Sequence, residues 1–235
     1  MTEVCIGTVL DPVIFGKLMA GGWLDNEKAK VAGMQILRKN KFTCSSCGFV
    51  SRSSVQVPHG YMIPVDYAHP GLLAAHGDGD CLCSICAASV GINWSVTIEG
   101  QGDSSAGVPG MLIAQSRLTQ VQINRLALQV ISLLASQPTP QLSKLQSAAR
   151  DIDAAMTALN HELGGSIPFY RGNDSDFARA LSLIPQEYYE QREDILGSLR
   201  FWPNVRYWKE QGVYWMKSTF EDMLASDNEL LGVVK

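Results

Sequence analysis

Two Cys-x-x-Cys pairs, Cys44-Ser-Ser-Cys47 and Cys83-Ser-Ile-Cys86, constrain this chain more than anything else in it: 35 residues separate them, and together they offer four sulfur ligands. Two thiolates separated by two residues can chelate one ion from a single tight turn, and Gly48 can take the positive φ that such a turn often needs. Four thiolates are the closed tetrahedral set of a structural zinc site, so the expectation is Zn2+ on Cys44, Cys47, Cys83 and Cys86. An iron–sulfur cluster takes the same donors. Redox use of one pair would want a thioredoxin-like βαβ context, which this sequence lacks. Cys81 competes for one of the last two places, and the spacing of Cys83 and Cys86, a repeat of the first pair, favours those two. Cys5 stands alone and reads as a small buried hydrophobe. A closed site contributes folding energy, roughly 10–16 kcal/mol of apparent binding energy, and no chemistry. No catalytic residue is therefore assigned to it.

A cysteine cluster reads as a metal site where thiols stay reduced. Met1-Thr2-Glu3 lacks a basic n-region and Lys17 interrupts the apolar stretch that follows, so no secretory signal is expected and the location is expected to be cytoplasmic. No apolar run reaches the roughly 18–20 residues of a membrane span. The net charge of −4 argues against a general nucleic-acid binder. It is unevenly spread: residues 1–60 carry seven Lys/Arg against four Asp/Glu, and the remainder twelve against nineteen.

Residues 4–10 have the β-branched character of a short strand, ended by Asp11-Pro12. Asp25 or Asn26 caps a helix running to about Asn40, whose basic end (Arg38, Lys39, Lys41) suits the negative pole of the helix dipole. The Gly- and Ser-rich tract 100–107 reads as a loop leading into a strand at 111–114. Thr119 opens the clearest helix, about 119–136, and a further helix over about 141–163 stops at Gly164-Gly165. Residues 169–235 hold twelve of the nineteen aromatics, Trp202, Trp208 and Trp215 among them, either the core of a helical unit or a docking surface.

The segment Phe42-Thr-Cys44-Ser-Ser-Cys47-Gly48, after a helix ending in Leu37-Arg-Lys-Asn40, resembles the entry to HNH (ββα-metal) endonuclease domains. That resemblance implies a zinc scaffold, a His general base on the hairpin between the Cys pairs, and a further His, commonly right after the last Cys, holding a catalytic divalent ion. His59 is the one candidate base, and its distance to Pro64 departs from the usual His-x-x-Pro arrangement. Ala87-Ala88-Ser89 follows Cys86 with no ligand, and His69 and His76 read as solvated or capping residues of an irregular loop. The scaffold is expected without the nuclease centre.

A narrower resemblance is to the DotN/IcmJ family, zinc-bearing HNH-like proteins of the coupling complex of Dot/Icm type IVB secretion systems. It rests on Lys41-Phe-Thr-Cys44-Ser-Ser-Cys47-Gly48-Phe49, Cys81-Leu-Cys83-Ser-Ile-Cys86, Gly110-Met-Leu-Ile113 and Leu118–Leu126, and covers roughly residues 25–136. It implies an α+β fold, with a zinc-containing HNH-like (ββα-metal or treble-clef-type) part over residues 1–116. A largely helical region over 117–235 follows, separate or packed on the first as one unit. The implied function is that of a non-enzymatic adaptor that binds a DotL-like type IV coupling ATPase and other coupling-complex subunits, helps recruit secreted substrates, and reaches the inner membrane through that complex without inserting in it. Exposed apolar and aromatic residues would engage an extended segment of the ATPase. A divergent HNH endonuclease using His59 is the alternative, and a sequence-specific DNA-binding zinc module a third reading that the acidic balance disfavours.

Overall fold

A computed structural model describes residues 6–9, 11–65, 79–97, 107–167, 170–184 and 197–220. In chain order it contains α1 (Pro12–Met19), a 3-10 turn (Gly22–Leu24), α2 (Glu27–Lys39), β1 (Met62–Val65), β2 (Asp80–Cys83), α3 (Ser84–Val90), α4 (Ile92–Ser95), β3 (Gly110–Ala114), α5 (Gln120–Ala135), α6 (Ser143–Ala158), α7 (Leu163–Ser166), α8 (Asp174–Ser182), β4 (Leu199–Pro203) and α9 (Lys209–Ser218). The fold is α+β. Cys5, His69, His76, most of the Gly- and Ser-rich tract and residues 221–235 lie outside the described residues.

Asp11-Pro12 starts a helix instead of ending a strand. The Asp11 carboxylate accepts from the amides of Val13 and Ile14, both at 2.9 Å, and proline at the first helical position loses no hydrogen bond there. Within 6–9 no strand forms. The Asn93 side chain clasps Val9 instead, accepting from its N–H at 3.0 Å and donating to its carbonyl at 2.8 Å. The α2 and α5 boundaries follow the capping chemistry: Asn26 accepts from Ala29 N, and Thr119 and Gln122 form a reciprocal capping box. The helix expected over 141–163 is broken after Ala158, where i→i+3 bonds tighten the chain and Asn160 turns its amide to the Leu112 carbonyl at 2.7 Å. Gly164 and Gly165 lie inside the short α7.

Two antiparallel pairs, β1–β2 and β3–β4, make two separate sheets. A two-stranded sheet is marginal alone and exposes two edges. In β3–β4 both edges are closed by side chains at the same facing pair, Leu112 and Phe201. On the outer side of β3, Asp174 Oδ2 accepts from Leu112 N at 2.7 Å and Asn160 donates to Leu112 O. On the outer side of β4, Gln120 accepts from Phe201 N at 2.8 Å and donates to Phe201 O at 3.0 Å.

Among the described residues, the large aromatics of the C-terminal stretch are core. Trp202, Trp208 and Trp215 are at most 2% exposed and Phe201 is fully buried, so of the two readings of this stretch these four residues follow the buried core and not the docking surface. Two of the indoles find acceptors, Trp202 on Asp153 at 2.9 Å and Trp208 on the Pro109 carbonyl at 2.7 Å. Helix α9 packs on α5 and sets Trp215 edge-on to Phe49, ring centroids 5.5 Å apart; Gly212 lets the two helix backbones meet, since a Cβ there would stand 2.8 Å from Ile131 O and from Ile131 Cγ2. One hydrophobic cluster runs from Phe15 and Leu37 through Ile85 and Ile123 to Phe201 and Trp215, so residues on both sides of position 116 share a core.

Candidate metal centre

Four cysteines from two distant turns converge. The Sγ atoms of Cys44, Cys47, Cys83 and Cys86 all lie within 4.8 Å of one another, all four residues are buried, and Cys47 Sγ is 3.7 Å from Cys83 Sγ. A tetrahedron of sulfurs about 2.3 Å from a central ion has edges of about 3.8 Å, so this spacing fits one metal ion.

Local geometry explains how each pair arrives. The chain leaves α2 through two successive non-glycine residues in the left-handed region, Lys41 and Phe42, each with φ 52°. Phe42 N donates back to Leu37 O at 2.9 Å and the chain is turned into the knuckle. A bridge between Thr43 and Val50 pairs its arms, Gly48 N closes the turn on Cys44 O at 2.9 Å, and Gly48 sits at φ 75°. The second pair comes from the end of the β1–β2 hairpin. Cys83 is the last residue of β2 and the N-cap of α3, its sulfur accepting from Cys86 N at 3.4 Å. The two pairs are tied together by the Cys81 carbonyl, which accepts from Ser45 N at 2.8 Å and Ser45 Oγ at 3.0 Å.

Cys81 therefore serves through its backbone. It is fully buried, but its sulfur is not one of the convergent four. Burial pushes the Cys81 thiol up, with repulsion from Cys44, Asp80 and Cys47 adding to it. Within the cluster, hydrogen bonds from Cys47, Cys83 and Cys86 hold Cys44 well below the ordinary thiol range. Cys83 is pushed up, mainly by burial, and Cys86 mainly by its contact with Cys44. Four buried sulfurs at this spacing ionise together only around a cation, and this donor set fits a divalent ion with an affinity for thiolate.

Helix α5 supplies contacts that no cysteine spacing reveals. Asn124, fully buried, donates to Cys86 Sγ at 3.3 Å and to Ser89 Oγ at 3.2 Å, and Arg125 Nε donates to the Cys47 carbonyl at 2.8 Å. The one sequence signal for Asn124 is Gln120-x-x-x-Asn124, two amides at helical spacing on a face otherwise made of Val121, Ile123, Ala127 and Leu128. Polar residues on an apolar stripe must be satisfied, and here they meet sulfur and a strand edge.

His59 stands at the mouth of β1, half-buried, edge-on to Trp23 with ring centroids 6.0 Å apart and to Tyr61 at 5.6 Å. Its Nδ1 is buried without a hydrogen-bond partner, and burial lowers its pKa. Among the described residues the four cysteines are the one group of three or more His, Cys, Asp or Glu placed to share a metal ion, so His59 has no carboxylate or imidazole cluster beside it there. No helix among the described residues is long and apolar enough to cross a membrane. No protein-family model matches the chain, and no curated protein matches it.

Proposed function

We propose that this chain is a zinc-stabilised, non-enzymatic adaptor of the DotN/IcmJ kind, which binds the coupling ATPase of a type IVB secretion or conjugation system and helps recruit its substrates. The observation that carries the reading is the closed cluster. Sulfurs no more than 4.8 Å apart, all buried, leave room for one ion and no open coordination position for a substrate or a reactive water. Bound there, Zn2+ supplies folding energy and fixes the angle between the knuckle and the hairpin.

Several features support the HNH-like, treble-clef-type description of this part. A knuckle delivers the first two ligands, the β1–β2 hairpin follows, and the last pair sits at the start of α3. After Cys86, where a nuclease would place its metal-binding imidazole, α3 continues with Ala87, Ala88 and Ser89, all buried. Partner binding then falls to the surface of the knuckle. Residues 28–65 contain six Lys/Arg and no Asp/Glu. Arg38, Lys41 and Arg52 are exposed, and Ser51 N donates to Phe42 O at 3.1 Å, which brings Lys41 and Arg52 to facing positions on the two arms. This face complements an acidic segment of the ATPase. The adaptor would work in the cytoplasm and reach the inner membrane through that contact.

The test is affinity capture from cells whose coupling ATPase carries a tag. The wild-type chain should be recovered with the ATPase, and the triple variant Arg38→Glu, Lys41→Glu, Arg52→Glu should be recovered far less. Failure to recover the wild-type chain overturns the reading. So would cleavage of plasmid DNA in Mg2+, Mn2+ or Ni2+ that His59→Ala abolishes, an outcome that would establish the nuclease instead.

A further inference from the structure

A chain of hydrogen bonds with a single direction connects the second sheet to the cysteine cluster. Phe201 N in β4 donates to Gln120 Oε1 at 2.8 Å, Gln120 Nε2 donates to Asn124 Oδ1 at 2.8 Å, and Asn124 Nδ2 donates to Cys86 Sγ at 3.3 Å. The second Nε2 hydrogen of Gln120 goes to Phe201 O at 3.0 Å, and the second Nδ2 hydrogen of Asn124 to Ser89 Oγ at 3.2 Å. Gln120 is 3% exposed and Asn124 0%, and every donor of both amides is used. An amide that accepts at its oxygen donates more strongly from its nitrogen, so two such amides in series polarise one another towards the sulfur.

We propose that Asn124 is a positioning residue of the metal centre, and that metal occupancy is coupled through Asn124 and Gln120 to the outer edge of β4 at Phe201. The proposal rests on the reading that the cluster holds a metal ion. With the ion bound, Cys86 Sγ is a fixed, charged acceptor, the stronger kind of partner for Asn124. Without it the sulfur is free to turn away, which leaves a buried amide N–H without an acceptor, a costly arrangement. An Asn124 amide turned over to find another partner would set its nitrogen against Gln120 Nε2, donor facing donor. Gln120 could not then keep both its bonds to Phe201. The polarity of the two amides thus links the state of one sulfur to a strand edge in the other half of the chain.

Release of metal to a chelator, followed with a colorimetric indicator on the full chain, tests this. Asn124→Leu, which keeps the number and branching of side-chain heavy atoms, should release metal about tenfold faster than wild type, the size of effect usual for removing a hydrogen bond to a metal ligand. Gln120→Met touches no sulfur yet should also speed release, and should add nothing in the Asn124→Leu background. Ser132→Ala, a buried hydroxyl on the same helix bonded to Leu128 O at 2.8 Å, should leave release unchanged while lowering stability slightly. A purely structural role for the two amides would lower the melting temperature without moving the release rate, and that result overturns the proposal, as does additivity of the two substitutions. A second measurement needs no variant. On partial chelation of the wild-type protein, with far-UV circular dichroism still native, amide exchange should rise at least tenfold more at Phe201 than at Leu112, whose N–H is held on the opposite edge by Asp174. Equal acceleration at both overturns the coupling, and this comparison decides if Asn124→Leu does not fold. A chain purified without metal overturns the metal reading itself, whereas a metal-bearing chain whose release is unmoved overturns the coupling alone.

Discussion

Cys81 and Cys83 lie two residues apart on the same face of β2, both fully buried, and the structure gives their sulfurs opposite roles. Replacing each in turn separates a member of the cluster from a neighbour. Cys83→Ala removes one of the four convergent sulfurs proposed as ligands and also the acceptor that caps α3. With roughly 10–16 kcal/mol of apparent binding energy in such a site, loss of a quarter of the ligand set costs several kcal/mol, comparable to the whole stability of an ordinary domain. The expected result is protein without stoichiometric metal that is insoluble or rapidly degraded by protease. Cys81→Ala removes one buried sulfur and leaves in place the carbonyl that holds Ser45. Lost burial and a small cavity come to about 1–2 kcal/mol. In a chain of this length that is a fall in Tm of about 2–8 °C, with metal content unchanged. Elemental analysis of metal per chain, paired with thermal unfolding, reads both quantities. The reasoning is refuted if Cys81→Ala loses its metal or if Cys83→Ala retains one ion per chain.

Gly212→Ala should destabilise although alanine favours helix: its Cβ would meet Ile131 at 2.8 Å and Ala135 at 2.9 Å. Overpacking of about 1–3 kcal/mol outweighs a propensity gain of about 1 kcal/mol, and an unchanged or raised Tm would show that α9 can shift away from α5 at no cost. Asp174→Ala should cost about 2–3 kcal/mol in urea unfolding, because it strands the Leu112 N–H at the edge of β3 and removes the acceptor 2.6 Å from Tyr170 Oη. Asp174→Asn, which keeps an acceptor oxygen, should cost less, and equal losses would count against the edge clasp. For His59, burial lowers the folded-state pKa below the ordinary 6.5. Below about pH 6.5 the unfolded chain binds the proton more readily, so this residue makes stability fall as pH drops through that window and has no effect above it. The Tm of wild type relative to His59→Phe should therefore decline between pH 7 and pH 5, and a constant difference would refute the burial effect.

Much of the cysteine cluster is legible in the sequence because a knuckle is local: the Cys-x-x-Cys spacing and Gly48 describe a turn that closes on itself. The α2 and α5 boundaries are legible for the same reason, since Asn26 and Thr119 act within three residues. Asp11-Pro12 misleads because the same dipeptide can end a strand or cap a helix, and only the burial of Phe15 and Leu18 on the far side decides between them. Long-range pairing lies beyond any local pattern. Nothing in Phe201 or Gln120 alone announces that a side-chain amide will close a strand edge 81 residues away. Nor does a run rich in tryptophan say whether it faces solvent or another helix. Tertiary packing settled that, by setting α9 on α5 so closely that only glycine fits at Gly212, and so placed Asn124 where its amide reaches the sulfur of Cys86.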